Sequence, residues 1–189
     1  MLDEMITMVL DDAEDKMNRA IEHLRHELSS IRAGRATPAM LENIRVNYYG
    51  SSTPLNQMAN VAAPQPDLLV IQPWDKSSLG DIEKAISAAN IGVTPSNDGM
   101  LIRVPVPPLS EERRKDLAKA ARVRGEDARI VIRNIRRHAK DEVKSIQLSE
   151  NLPEDMRYEA EERLQAMTDR HIEGIDKLMH RKEEEIMEV

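Results

Sequence analysis

His23 and His26 stand three residues apart, flanked by Glu22 and Glu27. On a helix that spacing brings two imidazoles to one face, where they could hold a divalent ion. No further ligand motif accompanies them, so two solvated or partly packed histidines account for the pair, and no metal ligand is assigned. The chain has no Cys, which excludes thiolate metal centres, disulfide frameworks and a cysteine nucleophile. Its glycines are never closer than Gly92 and Gly99. Phosphate-cradling P-loops and dinucleotide fingerprints need glycines more tightly spaced than that, so nucleotide binding through either loop is excluded. Neither a nucleophile elbow nor a Ser/His/acid set is visible. The sequence therefore assigns no catalytic residue and no cofactor, and the expectation is a protein that is not an enzyme.

Charge carries more information. The 189 residues hold 27 Lys and Arg against 34 Asp and Glu, a net charge of −7. Residues 110–146 reverse that sign, with twelve bases against seven acids. At about 100° per helical residue, Arg129, Arg133, Arg136 and Lys140 all fall within about 40° of Arg122. Lys115 and Lys144 extend the stripe at its two ends. The apolar arc of the same helix is centred roughly 110–120° away, so the stripe is expected to face outward. Guanidinium groups fork onto phosphate oxygens or stack on bases. The bland alternative is pairing with acidic neighbouring helices. A narrow, Arg-rich stripe holding only Glu126 as an internal acid favours an RNA-phosphate surface instead.

Three long helices must position this chemistry. In the first, Ile6, Leu10, Ala13, Met17, Ala20, Leu24, Leu28 and Ile31 recur at steps of three and four, up to a stop at Gly34. The second opens at Ser110, a good N-cap, with Glu111 and Glu112 complementing the helix dipole. Its apolar residues Leu117, Ala121, Ala128, Ile132, Ile135, Ala139, Val143 and Ile146 keep helical spacing to about residue 149. The third follows Pro153, a residue favoured at a first helical turn, and runs through Met156, Ala160, Leu164, Met167, Ile175, Leu178 and Ile186. A short connection makes the second and third antiparallel neighbours. The expectation is an elongated antiparallel three-helix bundle.

Residues 34–108 are too many for a loop in such a bundle, and nine of the ten prolines lie in or just around this segment. Ile44–Tyr49, Leu68–Gln72 and Met100–Val104 read as strands, Ser78–Asn90 as a helix, and Asn97-Asp98-Gly99 as a turn. The fold class is α+β: a bundle of residues 1–33 and 109–189 with a small domain, 34–108, inserted. Gly34 and Arg35 open one connection; Pro105, Pro107 and Pro108 form the other. Two short proline-stiffened tethers would permit rotation while limiting travel. With only four aromatic residues and no Phe, the core must be aliphatic and methionine-rich. No apolar run approaches the roughly 20 residues needed to span a bilayer. The first fifteen residues hold six acids and no base, unlike a targeting peptide, so a cytoplasmic protein without a membrane partner is expected.

Particular strings then become recognisable. Ile31-Arg32-Ala33-Gly34-Arg35-Ala36-Thr37-Pro38, Tyr48-Tyr49-Gly50 with Thr53-Pro54-Leu55, and Ile102-Arg103-Val104-Pro105 with Pro107-Pro108-Leu109 resemble the bacterial ribosome recycling factor family. So do Glu111-Glu112-Arg113-Arg114-Lys115 and Arg133-Asn134-Ile135-Arg136-Arg137. His138 departs from the acid more usual after the paired arginines. The resemblance implies an L-shaped protein, its β/α/β domain hinged on the bundle. It also implies a translation factor that, with elongation factor G and GTP, splits post-termination ribosomes into subunits. By the same resemblance, large-subunit ribosomal RNA at the tRNA sites is contacted by Arg32, Arg35, Arg129, Arg133 and Arg136, with Arg122, Arg137 and Lys140 beside them. The hinge falls at Gly34, Arg35, Pro105, Pro107 and Pro108. A monomer is expected. The rival readings are a helical protein-interaction module docking an acidic partner through the basic stripe, and, more remotely, a metal-dependent hydrolase.

Overall fold

Helical periodicity is realised in three long elements: α1 (Glu4–Ser29), α3 (Glu111–Ser149) and α4 (Glu154–Met187). A fourth helix, α2 (Leu79–Ala88), lies among six short strands. The computed structural model describes residues 2–32 and 34–188; Ala33, within the first string quoted above, lies outside the described residues. The chain divides into two compact units, Met1–Leu28 with Lys119–Lys182, and Ser29–Ala118 with Glu183–Val189. These divisions differ from boundaries drawn at 33/34 and 108/109. The first turns of α3 and the last turn of α4 go with the strands.

The first unit is helical. Residues of α3 and α4 meet in the order Gly125 with Met179, Arg129 with Asp176, and Lys140 with Glu161, so these helices are antiparallel. Glu14 meets Arg170, Asn18 meets His171 and Ile21 lies by Gly174, so α1 and α4 run parallel. The seam of α1 buries Ile6, Val9, Leu10, Ala13, Met17, Leu24 and Leu28, close to the spacing expected. In α4 the seam drifts. Met179 is buried where Leu178 was expected, and His171 fills the gap between Met167 and Ile175. A straight helix has 3.6 residues per turn, so a chosen step of three or four accumulates error over ten turns. Gly125 sits in the middle of α3 for a packing reason: a Cβ there would come within 2.6 Å of the Met179 sulfur.

Both ends of α3 are capped as their chemistry requires. Ser110 Oγ accepts from the Arg113 amide at 3.1 Å. At the other end Asn151 takes φ 50°, and the Leu152 amide donates back to the Gln147 carbonyl at 2.9 Å. That is a left-handed helix stop, and it makes the turn into α4 short.

The second unit carries a hairpin of β1 (Arg45–Tyr48) and β2 (Ser51–Pro54), closed by Tyr49 and Gly50, both at positive φ. Two consecutive positive φ angles match the right-handed twist of the paired strands. Its second sheet is antiparallel, in the order β3 (Ala59–Gln65), β4 (Leu68–Pro73), β6 (Ile102–Pro105), β5 (Ser96–Asn97). Leu69, Ile71, Ile102 and Val104 point inward and pack with Ile82 and Ile86 of α2. Strands β2, β3 and β5 are additions to the sequence reading. Their residues are polar or small and largely exposed, so no apolar alternation marks them.

Ala36 and Val106 belong to this core, and their amides donate to the carbonyls of Pro66 and Asp67, each at 2.7 Å. The proline-bearing connection is thus partly anchored. Gly34 donates its amide to the Glu185 carbonyl at 3.2 Å, and a side chain at 34 would overlap the Glu188 carbonyl. Gly34 is glycine because the backbone of α4 passes against it.

Candidate nucleic-acid interface

On α3 the buried positions are Ala118, Ala121, Gly125, Ala128, Ile132, Ala139, Val143 and Gln147. That arc leaves Arg122, Arg133, Arg137 and Lys140 exposed. Arg129 and Arg136 are corrections to an outward-facing stripe, since both are half-buried. The stripe lies at the edge of the packed arc, and α4 supplies partners that α3 alone does not reveal.

Arg129 donates through Nε and Nη2 to Oδ1 of Asp176, at 3.0 and 2.6 Å, and through Nη1 to Glu126 at 3.2 Å. The Asp176 bond raises its pKa, and two carboxylates already neutralise its charge. Arg136 donates to Gln165 Oε1 at 2.9 Å, and Gln165 donates in turn to Asp169 at 2.8 Å. Lys140 lies 3.5 Å from Glu161, and Arg133 lies 3.6 Å from Glu126. Arg137 donates to Asn134, one turn back, at 3.1 Å.

Arg133, Arg136, Arg137 and Lys140 line one groove of about 430 Å³, with Glu161 and Gln165 opposite. Three guanidinium groups and an ammonium around an open groove suit a phosphate backbone, because each offers charge-assisted donors. The α4 groups hold Arg129 and Arg136 in fixed directions, which lowers the ordering cost of a contact. Sequence reasoning missed Asp176, Gln165, Asp169 and Glu161. The antiparallel register of α3 against α4 was the signal that could have found them.

Arg32 and Arg35 belong to the second unit. Arg32 donates to the Pro107 carbonyl. Desolvation, then the nearby Arg113 charge, lowers its pKa. Arg35 is exposed, 3.4 Å from Glu188. Pro105, Pro107 and Pro108 line a shallow cavity with Gly92, Val93 and Asp67, again inside this unit. His23 lies 3.4 Å from Glu27. Among the described residues no cluster of His, Cys, Asp or Glu is placed to hold a metal, and no helix is long and apolar enough to cross a membrane.

The family model for the ribosome recycling factor matches residues 24–187. The chain belongs to the ribosome recycling factor family. It is 52% identical to the ribosome-recycling factor of Salinibacter ruber over all 189 residues, covering the whole of both chains. Against the Natranaerobius thermophilus protein it is 51% identical over 178 residues, covering 94% of this chain and 97% of that one. A solution structure of the ribosome recycling factor superposes with a TM-score of 0.84 at 40% identity, covering both chains completely. A second structure gives 0.71 at 42% identity with the same coverage. Its description is of the T. thermophilus ribosome recycling factor and the E. coli elongation factor G bound to the E. coli post-termination complex. The strings in the sequence therefore pointed to the right family, and the mixed fold of long helices with a small strand domain is that of its solved members.

Proposed function

We propose that this chain binds the post-termination ribosome and, with elongation factor G and GTP, separates it into subunits for reuse, in the cytoplasm and as a monomer. One observation carries the reading: a groove ringed by Arg133, Arg136, Arg137 and Lys140 on a chain of net charge −7. Acidic surface elsewhere discourages indiscriminate RNA binding, while the groove supplies a local phosphate site. The structural neighbour described with elongation factor G on a post-termination complex supports the choice of partners.

No P-loop or dinucleotide fingerprint is present in the sequence, so the work of splitting comes from the GTP-using partner. The chain acts as a lever rather than an enzyme, with arginines as its anchor. Ala36 and Val106 are tied into the strand core, and in this reading the turn falls beside them, at Gly34, Arg35, Pro107 and Pro108. Residues Arg32, Arg35, Arg122 and Arg129 complete the RNA-facing set in this reading. The deciding experiment is subunit splitting of post-termination ribosomes by the full chain, with and without elongation factor G and GTP. Splitting only in the complete mixture supports the reading. Capture of acidic soluble proteins, with no ribosome binding, would favour the interaction module.

A further inference from the structure

The cations of the basic face are held in two chemically different ways. Carboxylates answer three of them: Asp176 and Glu126 meet Arg129, Glu126 also approaches Arg133, and Glu161 lies beside Lys140. Arg136 meets a neutral amide instead. Its Nη1 donates to Gln165 Oε1 at 2.9 Å. Gln165 Nε2 donates in turn to Oδ1 of Asp169 at 2.8 Å, one turn further along α4. A carboxylate fixes a guanidinium but offsets its charge toward a phosphate. An amide fixes it and leaves the charge in place.

The relay also has a direction. A guanidinium only donates and a carboxylate only accepts, whereas a Gln amide has one side of each kind. Between Arg136 and Asp169 a single orientation of the amide satisfies both neighbours, with its oxygen toward Arg136 and its nitrogen toward Asp169. The reverse would set donor against donor and acceptor against acceptor. Core packing does not account for either α4 residue, since Gln165 and Asp169 are both exposed. Arg136 is half-buried and lines the groove, and Gln165 forms part of the same wall. A long side chain loses rotamer freedom when it grips a ligand, and one already held has less to lose. We propose that Gln165 and Asp169 are positioning residues for RNA binding that act through Arg136. Gln165 aims a guanidinium that keeps its charge, and Asp169 fixes the Gln165 amide. This rests on the function proposed above.

The test measures the affinity of full-length variants for purified post-termination ribosomes across a salt series, with thermal melting alongside. Gln165→Met keeps length and volume but removes both hydrogen bonds. It should melt close to the wild type and bind about two- to tenfold more weakly, the size of one side chain's ordering cost. Its log–log salt slope should be unchanged, because no charge is altered. In an Arg136→Ala background the same replacement should change affinity by less than about twofold, since the residue it acts through is gone. Asp169→Ala gives the sharpest reading. Removing an acid beside a phosphate site should tighten binding on electrostatics alone, whereas loss of positioning weakens it. Tighter or unchanged binding by Asp169→Ala overturns the proposal. So does equal weakening by Gln165→Met with and without Arg136, which would mark a merely structural role. If Arg136→Ala by itself binds like the wild type, the RNA reading of the groove falls and this one with it. Weakened binding by Arg136→Ala, with Gln165→Met and Asp169→Ala both indifferent, removes only the positioning roles.

Discussion

The Arg129 guanidinium and the Asp176 carboxylate form a two-pronged ion pair across α3 and α4, with Nε and Nη2 at 3.0 and 2.6 Å from one oxygen. Arg133, one turn further along, has only a 3.6 Å approach to Glu126 and stays exposed. Two arginines of one stripe thus do different work. Arg129→Ala should lower stability by about 1 kcal/mol, since a half-buried ion pair is lost. Arg133→Ala should stay within about 0.5 kcal/mol of the wild type. Thermal melting of the two variants checks both values.

Salt dependence separates the same residues by charge. Of the α3 residues assigned to RNA contact, Arg122, Arg133, Arg137 and Lys140 are exposed, and four phosphate contacts give a log–log slope of about −3 to −4. Arg133→Ala should reduce that slope by about one unit. Arg129→Ala should reduce it by less, because Asp176 already balances the charge. Ribosome affinity measured across a salt series is the readout, and a flat response would point to a protein-dominated contact.

Glycine substitutions test why two glycines are where they are. A methyl group at position 34 would overlap the Glu188 carbonyl, whereas one at Gly80, in α2, meets nothing within 4 Å. Gly34→Ala should cost about 1–3 kcal/mol, the usual range for overpacking. Gly80→Ala should gain up to about 1 kcal/mol from helix propensity. Denaturant titration of both variants gives the comparison.

Acid titration should expose the turn before β6. Asp98 accepts from the Met100 and Leu101 amides at 2.9 and 2.7 Å, and from Arg103. The backbone bonds, with Arg103, pull its pKa down to about 2. The folded value lies below the unfolded one, so this stabilisation is complete above the ordinary carboxylate range and fades as pH falls toward 2. Asp98→Asn should therefore melt lower than the wild type at neutral pH, with the gap closing in acid. Melting temperature against pH follows it.

The proposed lever has its own test at Pro107 and Pro108. Pro107→Gly with Pro108→Gly should slow splitting driven by elongation factor G, because slack replaces a stiff tether. The share of ribosome affinity carried by the basic groove should hold, since that groove lies in the other unit. Both quantities are measured on the same protein. Full-rate splitting by the slack variant would favour simple occupation of the tRNA sites.

The sequence by itself determined the three long helices, the Ser110 cap and where along α3 the basic residues recur. Ser110, Asn97-Asp98-Gly99 and the spacing from Ile6 to Leu28 are local signals, set by hydrogen bonds and periodicity within a few residues. The family, too, was legible in short strings such as Arg133-Asn134-Ile135-Arg136-Arg137. Tertiary structure alone decided what those residues meet. Asp176 and Gln165 stand far from Arg129 and Arg136 along the chain, and only the antiparallel register of two long helices brings them together. Gly34 read as a helix stop and a hinge, yet its want of a side chain is dictated by Glu188, at the far end of the sequence. Strands β2, β3 and β5 were invisible for a related reason. Their polar and small residues carry no periodic signal of their own, and pairing with a buried neighbour such as β4 or β6 is what makes a strand of an otherwise indifferent segment.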